Sequence, residues 1–111
     1  MKKTTIINHN RDYKRVYNRG TSVASSNVVT YVLKNKLGFN RVGITASKKI
    51  GNAVKRNRSR RVIRAAYAEV CEKLEPGYDI IFVARAKTYS AKTQEILKSM
   101  QYHLKKFGVL Q

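Results

Sequence analysis

The chain is poor in several things that usually announce a function. It has one cysteine, Cys71, one proline, no tryptophan and only six acidic residues. A single cysteine excludes an internal disulfide and suits a reducing cytoplasm, where the protein is expected to work. No apolar run approaches the roughly 20 residues needed to span a bilayer, so no membrane association is expected. The opening Met1–Ile7 turns polar after two isoleucines and supplies no signal-peptide core. There is no repeat and no linker. Paired carboxylates, a Cys/His cluster and a glycine-rich phosphate loop are also missing, so no catalytic residue and no metal site is expected in the chain itself. His9 and His103 stand alone and are expected at the surface. Cys71, beside Val70, should be inert and partly buried.

What is abundant is positive charge. The 111 residues carry 24 Lys and Arg against 6 Asp and Glu, a net charge of +18. A hydrophobic fraction of 42% fits a folded protein rather than a basic tail, and 12.7 kDa suits one domain over residues 1–111. Such a field favours polyanions, nucleic acid first. The charge is also unevenly placed. No acid lies between Asp12 and Glu69, a stretch holding 14 of the 24 basic residues. Solvated surfaces normally mix both signs, so a long one-sign segment points to a binding face.

Hydrophobic spacing divides the chain into short elements. Tyr13, Val16 and Tyr17 share one face of a short helix, with Asn10 as its cap and Gly20 as its stop. Asn27–Leu33, rich in β-branched residues, predicts a strand, and Arg41–Ser47 alternates with Val42, Ile44 and Ala46 on one side. A long helix is expected from about Asn52, its N-cap, to about Leu74, before Pro76-Gly77. Tyr78–Ala84 is almost continuously apolar, as in a central strand. A last helix, capped by Ser90, carries Ile96, Leu97, Met100, Leu104 and Phe107 at helical spacing. The expected class is α+β, a two-layer α-β sandwich in the order α-β-β-β-α-β-α.

The informative segment runs from Lys48 to Arg64. At about 100° per residue, Val62, Ile63, Ala66, Tyr67, Val70 and Leu74 fall within an arc of about 140° and should pack on the sheet. Arg56, Arg60 and Arg64 form an i, i+4, i+8 row along one edge, and Asn57, Arg58 and Arg61 continue around the other. Like charges at i, i+4 cost about 0.2–0.5 kcal/mol per pair, and no acid within a turn relieves this row. A polyanion would. Guanidinium groups can also bridge phosphate oxygens and stack on bases. A face made basic for solubility, or a nuclear-localisation cluster, is the competing reading. Both fit a helix so strongly patterned and so free of interleaved acids poorly.

Here the residues carry a family likeness. Lys55-Arg56-Asn57-Arg58-Ser59-Arg60-Arg61-Val62-Ile63-Arg64, preceded by Ser47-Lys48-Lys49-Ile50-Gly51-Asn52-Ala53-Val54, resembles the "RNR" signature of the ribonuclease P protein family. Tyr13–Tyr17, Gly20–Ser22, Arg41–Ile44 and Gly77–Arg85 are similar to other parts of that family, so the likeness covers about residues 10 to 107.

The resemblance implies a subunit of a ribonucleoprotein endonuclease, a hydrolase that removes the 5′ leader of precursor tRNA. In that family the RNA partner performs the hydrolysis with bound Mg2+, and the protein binds and positions. The implied fold is of the ribosomal protein S5 domain 2-like type, with a left-handed βαβ crossover through the arginine helix, where chain chirality alone favours a right-handed one. Implied partners are the catalytic RNA, in a 1:1 complex, and the precursor tRNA.

Carried over residue by residue, Lys48, Lys49, Asn52, Lys55, Arg56, Asn57, Arg58, Arg60, Arg61 and Arg64 match the surface that meets the catalytic RNA. Tyr13, Tyr17 and Tyr31 match aromatic positions in the cleft for the single-stranded leader, with Arg41, Thr45 and Ser47 as its polar wall. The first-helix positions are tyrosine here where phenylalanine is common. Aromatic rings stack on any base, so they bind a strand without reading it. Tyr13 and Tyr17 at i, i+4 fit the core face of a helix equally well, and the residues alone leave both readings open. Tyr67, in the middle of the apolar stripe, belongs to the core. A non-catalytic RNA-binding module, such as a ribosomal protein, remains the alternative to the ribonuclease P reading. A self-sufficient nuclease is disfavoured by the absence of clustered acids.

Overall fold

Three-residue Thr4–Ile6, too short for any periodic signal, opens the fold as strand β1 and takes the chain to helix α1 (Asn10–Arg19). The structure is a computed structural model and describes residues 4–111. Met1, Lys2 and Lys3, the start of the segment in which no signal-peptide core was expected, lie outside the described residues. After α1 come β2 (Thr21–Ala24), β3 (Val28–Lys34), β4 (Asn40–Thr45), α2 (Ala53–Val70), β5 (Tyr78–Ala84) and α3 (Thr93–Lys106). The order expected from the sequence therefore needs one correction, a strand ahead of the first helix.

The five strands form one sheet in the order β1-β4-β5-β3-β2. β4 runs parallel to both β1 and β5, while β3 is antiparallel to β5 and to β2. The chain leaves β4, crosses through α2 and returns as β5 beside it. β5, the nearly continuous apolar run, is central and buried on both faces from Asp79 to Phe82.

Alternation sorts the side chains. Val28 and Val32 of β3, Val42 of β4, and Ile80 and Phe82 of β5 point to one face, where α2 and α3 lie against the sheet and each other. α2 contributes Val62, Ile63, Ala66, Tyr67 and Val70, and α3 contributes Ile96, Leu97, Met100 and Leu104. The stripe read from the sequence is thus the stripe that packs. Tyr67 is fully buried with its ring 5.5 Å from that of Phe82. Phe107 is only half-buried at the margin. Cys71 is buried. α1 lies alone on the other face, where Val16 meets Ile7 and Ile81.

Several local expectations shift. The side chain of Asn52 caps α2 as expected, accepting from the Lys55 amide at 3.0 Å. α2 ends at Val70, and a 3-10 turn, Cys71–Lys73, covers the remaining distance to Leu74. Asn10 is the first residue of α1 and not its cap; that position is His9, whose side chain makes no capping bond. Ser90 does not cap α3. Lys92 occupies the cap position, and Glu95 reaches back to its amide at 2.8 Å. Gly20 does end α1, but with φ −81 it is not there for a left-handed turn. A Cβ would lie 2.6 Å from the Val16 carbonyl oxygen and 2.7 Å from that of Val32, so glycine permits helix and strand to touch.

His103 is the largest departure. It is completely buried, with one ring nitrogen 2.7 Å from Ser25 Oγ and the other 2.7 Å from Thr30 Oγ1. A neutral imidazole donates through one nitrogen and accepts at the other, so both hydroxyls are satisfied. Burial, and then the charge of Lys106, hold its pKa below the ordinary histidine value.

Candidate nucleic-acid interface

The face of α2 away from the core carries the arginines. Lys55, Asn57, Arg58, Arg61 and Arg64 are exposed, and Arg56 and Arg60 are half-buried. Ser59, in the middle of the run, is buried and bonds back to the Lys55 carbonyl at 2.9 Å, which lets the helix sit close to the sheet there. Lys48 and Lys49 lie exposed on a 3-10 turn, Lys48–Ile50, just before the helix. The ion pairs among the described residues all join Arg15 or Arg41 to Asp12 or Asp79. None relieves the arginine helix.

Its cations are held by other means. Arg56 donates to the Gly51 carbonyl at 3.2 Å, and Arg58 to the Tyr89 carbonyl at 3.0 Å. The Lys55 ammonium stands 5.2 Å from the centre of the Tyr89 ring. Arg60 donates to Asn57 Oδ1 at 3.1 Å and to the Ala46 carbonyl at 3.4 Å. These bonds orient the charges without neutralising them.

On the α1 side, three rows of residues run across β4, β5 and β3. Strand register places Arg41, Asp79 and Leu33 in the first row, Gly43, Ile81 and Tyr31 in the second, and Thr45, Val83 and Val29 in the third. The first row lies under α1 and is closed by charge. Arg41 clamps Asp79 through two bonds, at 2.9 and 2.7 Å, and also reaches Asp12 at 3.4 Å. Arg15 pairs with Asp12 at 2.8 Å, and Asn35 donates to Asp79 at 2.8 Å. Burial alone would push the Asp79 carboxyl up; the bonds from Arg41, Asn35 and Arg15 outweigh it and hold it below the ordinary range. Arg41, expected in the cleft wall, is therefore anchored beneath α1.

The second row is partly roofed by tyrosines. Tyr13 lies against Gly43 so closely that a Cβ there would fall 2.5 Å from its hydroxyl oxygen. Its hydroxyl donates to the Ile7 carbonyl at 3.2 Å. Tyr17 packs edge-on to Tyr31, ring centres 4.9 Å apart, and stands 6.3 Å from Tyr13. The pair divides by burial: Tyr13 is half-buried, while Tyr17 is 38% exposed. The third row has no roof. Thr45, Val83 and Val29 are only partly buried, and Ser47 beyond them is exposed.

Arg60 lies between the two surfaces, its guanidinium 3.4 Å from the carbonyl of Ala46, just past the end of β4. Burial, then Tyr17, raise the pKa of Tyr13, and Arg60 acts on it in the opposite direction. Arg60 of the arginine helix is thus an electrostatic neighbour of the aromatic strip. Past the third row, Ser26, Ser47, Lys49, Arg85 and Lys87 line a groove of about 550 Å³. Arg85 and Lys87 were not singled out from the sequence. The available signal was their place just beyond the C-terminal end of a parallel strand, where α/β sheets gather ligand groups. Among the described residues no three His, Cys, Asp or Glu side chains group as a metal site, and no helix is long and apolar enough to cross a membrane.

Comparisons with known proteins agree over nearly the whole length. The model of the Ribonuclease P family matches residues 1–108. The chain is 43% identical over 108 residues to the ribonuclease P protein component of Clostridioides difficile, covering 96% of this chain and 95% of that one. It is 39% identical over 110 residues to the same component of Alkaliphilus oremlandii, covering 99% and 96%. Among solved structures, the Staphylococcus aureus RNase P protein superposes with a TM-score of 0.83 at 36% identity, covering 96% and 97%. The Thermotoga maritima protein shares the fold, with a TM-score of 0.75 at 22% identity over 85% and 89%.

Proposed function

The chain belongs to the ribonuclease P protein family, and on that premise we propose that it binds the catalytic RNA of ribonuclease P through its arginine helix and the 5′ leader of precursor tRNA along its aromatic strip. The family carries a role in tRNA 5′ processing. The observation that supports the finer reading is a helix face of seven Lys, Arg and Asn side chains without one carboxylate partner among the described residues. A sugar–phosphate backbone supplies the missing negative charge.

In this reading Lys48, Lys49, Lys55, Arg56, Arg58, Arg60, Arg61 and Arg64 meet phosphates, with Asn57 adding a donor and an acceptor. Asn52 acts mainly by capping the helix that presents them. The leader lies over Thr45, Val83 and Val29, stacks on Tyr17 and Tyr31, and continues past Ser47 toward Lys49, Arg85 and Lys87. Tyr13 sets the edge of that path and Arg60 joins the two surfaces. Hydrolysis, with Mg2+, belongs to the RNA. The protein is one copy in a ribonucleoprotein endonuclease of the cytoplasm and raises the affinity and placement of its substrate.

The test is reconstitution. Added to a bacterial RNase P RNA and a precursor tRNA at low magnesium, the protein should stimulate release of the leader, and protein alone should release none. Absence of stimulation would favour a non-catalytic RNA-binding module. Replacing Arg60 and Arg64 by alanine should flatten the salt dependence of binding by about 0.9 per lost phosphate contact; an unchanged slope would move the RNA to another face.

A further inference from the structure

Helix α1 has two flanks, and only one is aromatic. Tyr13 and Tyr17 project over the sheet on one side. On the other, Arg11, Arg15 and Arg19 face the end of β3 and the turn after it, where Lys34 and Lys36 close a second groove of about 550 Å³. The floor of this groove is the ion-pair cluster of Asp12, Arg15, Arg41 and Asp79, in which each buried carboxylate is already held by arginine. Its rim is different. Arg11, Arg19, Lys34 and Lys36 are exposed and make no ion pair among the described residues.

The rim is also rigidly mounted. Asn35, between the two lysines, donates to Asp79 at 2.8 Å, accepts from the Leu37 amide at 2.9 Å, and donates its own backbone amide to the Gly77 carbonyl at 2.8 Å. The turn that carries Lys34 and Lys36 is thereby tied to the same cluster that pins α1. Four unpaired cations are held around a groove whose interior charges cancel.

No tyrosine, phenylalanine or tryptophan lines it, and its one ring is the imidazole of His9 at the start of α1. Single strands are bound through stacking rings; base-paired RNA offers phosphates and hides its base faces. We propose that this groove is a separate RNA-contact surface that takes the sugar–phosphate backbone of a base-paired segment, while the aromatic flank of the same helix takes a single strand. The inference rests on the RNA-binding reading above and adds a third contact surface to it.

The experiment compares two probes on the full chain, an RNA duplex of about 20 base pairs and a single-stranded RNA of about 8 nucleotides, each titrated over a range of salt. With Arg11, Arg19, Lys34 and Lys36 all replaced by alanine, the log–log salt slope for the duplex should fall by about two units or more. Binding of the single strand should stay within about threefold of the unsubstituted protein. An unchanged duplex slope overturns the proposal, and so does an equal loss for both probes, which would make the groove part of the single-strand path. The pair Lys34→Ala and Lys36→Ala, two exposed side chains at the end of β3 and in the turn after it, should lower the duplex slope by about one unit and decides the matter if the fourfold variant does not fold. Arg60→Ala with Arg64→Ala is run beside them. If no variant, that one included, changes binding of either probe, the RNA-binding reading itself fails; if only the arginine-helix variant weakens the duplex, the groove proposal alone falls.

Discussion

Phe82 and Val83 are neighbours on β5 and face opposite worlds. Phe82 is sealed beneath α2, against Tyr67, in a core built from two helices and three strands. Val83 looks out from a row that α1 stops short of covering, with partly buried Thr45 and Val29 on either side. The α2–α3 side closes the fold, and so the α1 side can be left incomplete. What the incomplete side loses in burial it keeps as uncovered sheet, ringed by tyrosines and cations.

The largest effects should separate the two sides by stability. Phe82→Ala opens a cavity under α2 and is expected to cost about 3–5 kcal/mol, much of the 5–15 kcal/mol typical of a domain. Val83→Ala, one residue on, should cost about 1 kcal/mol, because the side chain is only partly buried, at the margin of the small Ile7–Val16–Ile81 cluster. Urea unfolding of both variants checks the contrast. Similar losses would mean that the third row is packed as a core.

Binding should reverse that order. Tyr17→Ala removes an exposed ring, and a base stacked on it is worth about 1–3 kcal/mol, or roughly tenfold in affinity. Leader-bearing precursor tRNA should weaken by that factor and mature tRNA should not. Equal weakening of both, or loss of folding, would assign Tyr17 to the core.

How much of this was legible depends on how far apart the partners lie. The arginine helix announced both its faces within one continuous segment, and Tyr67 announced its burial from the middle of an apolar stripe. β1 has three residues and no period to detect. His103 contacts Ser25 and Thr30, 78 and 73 residues away, and Arg41 clamps Asp79, 38 residues away. Polar partnerships of that separation leave no local pattern, so His103 was expected at the surface and Arg41 in the cleft. The meeting of Lys49 with Arg85 and Lys87 is likewise a product of topology, since α2 intervenes between them in sequence.

His103 offers a smaller test of the closed side. Its folded pKa lies below the ordinary 6.5 because of burial and then Lys106. Above 6.5 neither the folded nor the unfolded chain protonates it appreciably. As pH falls below 6.5 the unfolded chain takes up a proton that the buried ring refuses, and stability is lost down to the folded pKa. Asp79, with its pKa held below 3.8, contributes only at lower pH. The thermal midpoint should therefore drop between about pH 7.5 and pH 5. His103→Gln should begin lower and change less over that interval. An equal drop in both would place the pH dependence elsewhere.

The finest contrast lies within one helix, between two tyrosines four residues apart. The Tyr13 hydroxyl donates to the Ile7 carbonyl, one residue past the end of β1. The Tyr17 hydroxyl makes no hydrogen bond among the described residues, and its ring is the exposed one. Tyr13→Phe should thus cost about 1 kcal/mol in stability, as expected for a lost hydrogen bond with a half-buried partner left behind. Tyr17→Phe should change stability negligibly and leader affinity by less than about twofold, because the ring does the stacking. Urea midpoints and oligonucleotide titrations on the two variants read these separately. If Tyr17→Phe weakens leader binding as much as Tyr17→Ala, the strand is held by the hydroxyl and the open side recognises RNA by hydrogen bonding instead of by its aromatic faces.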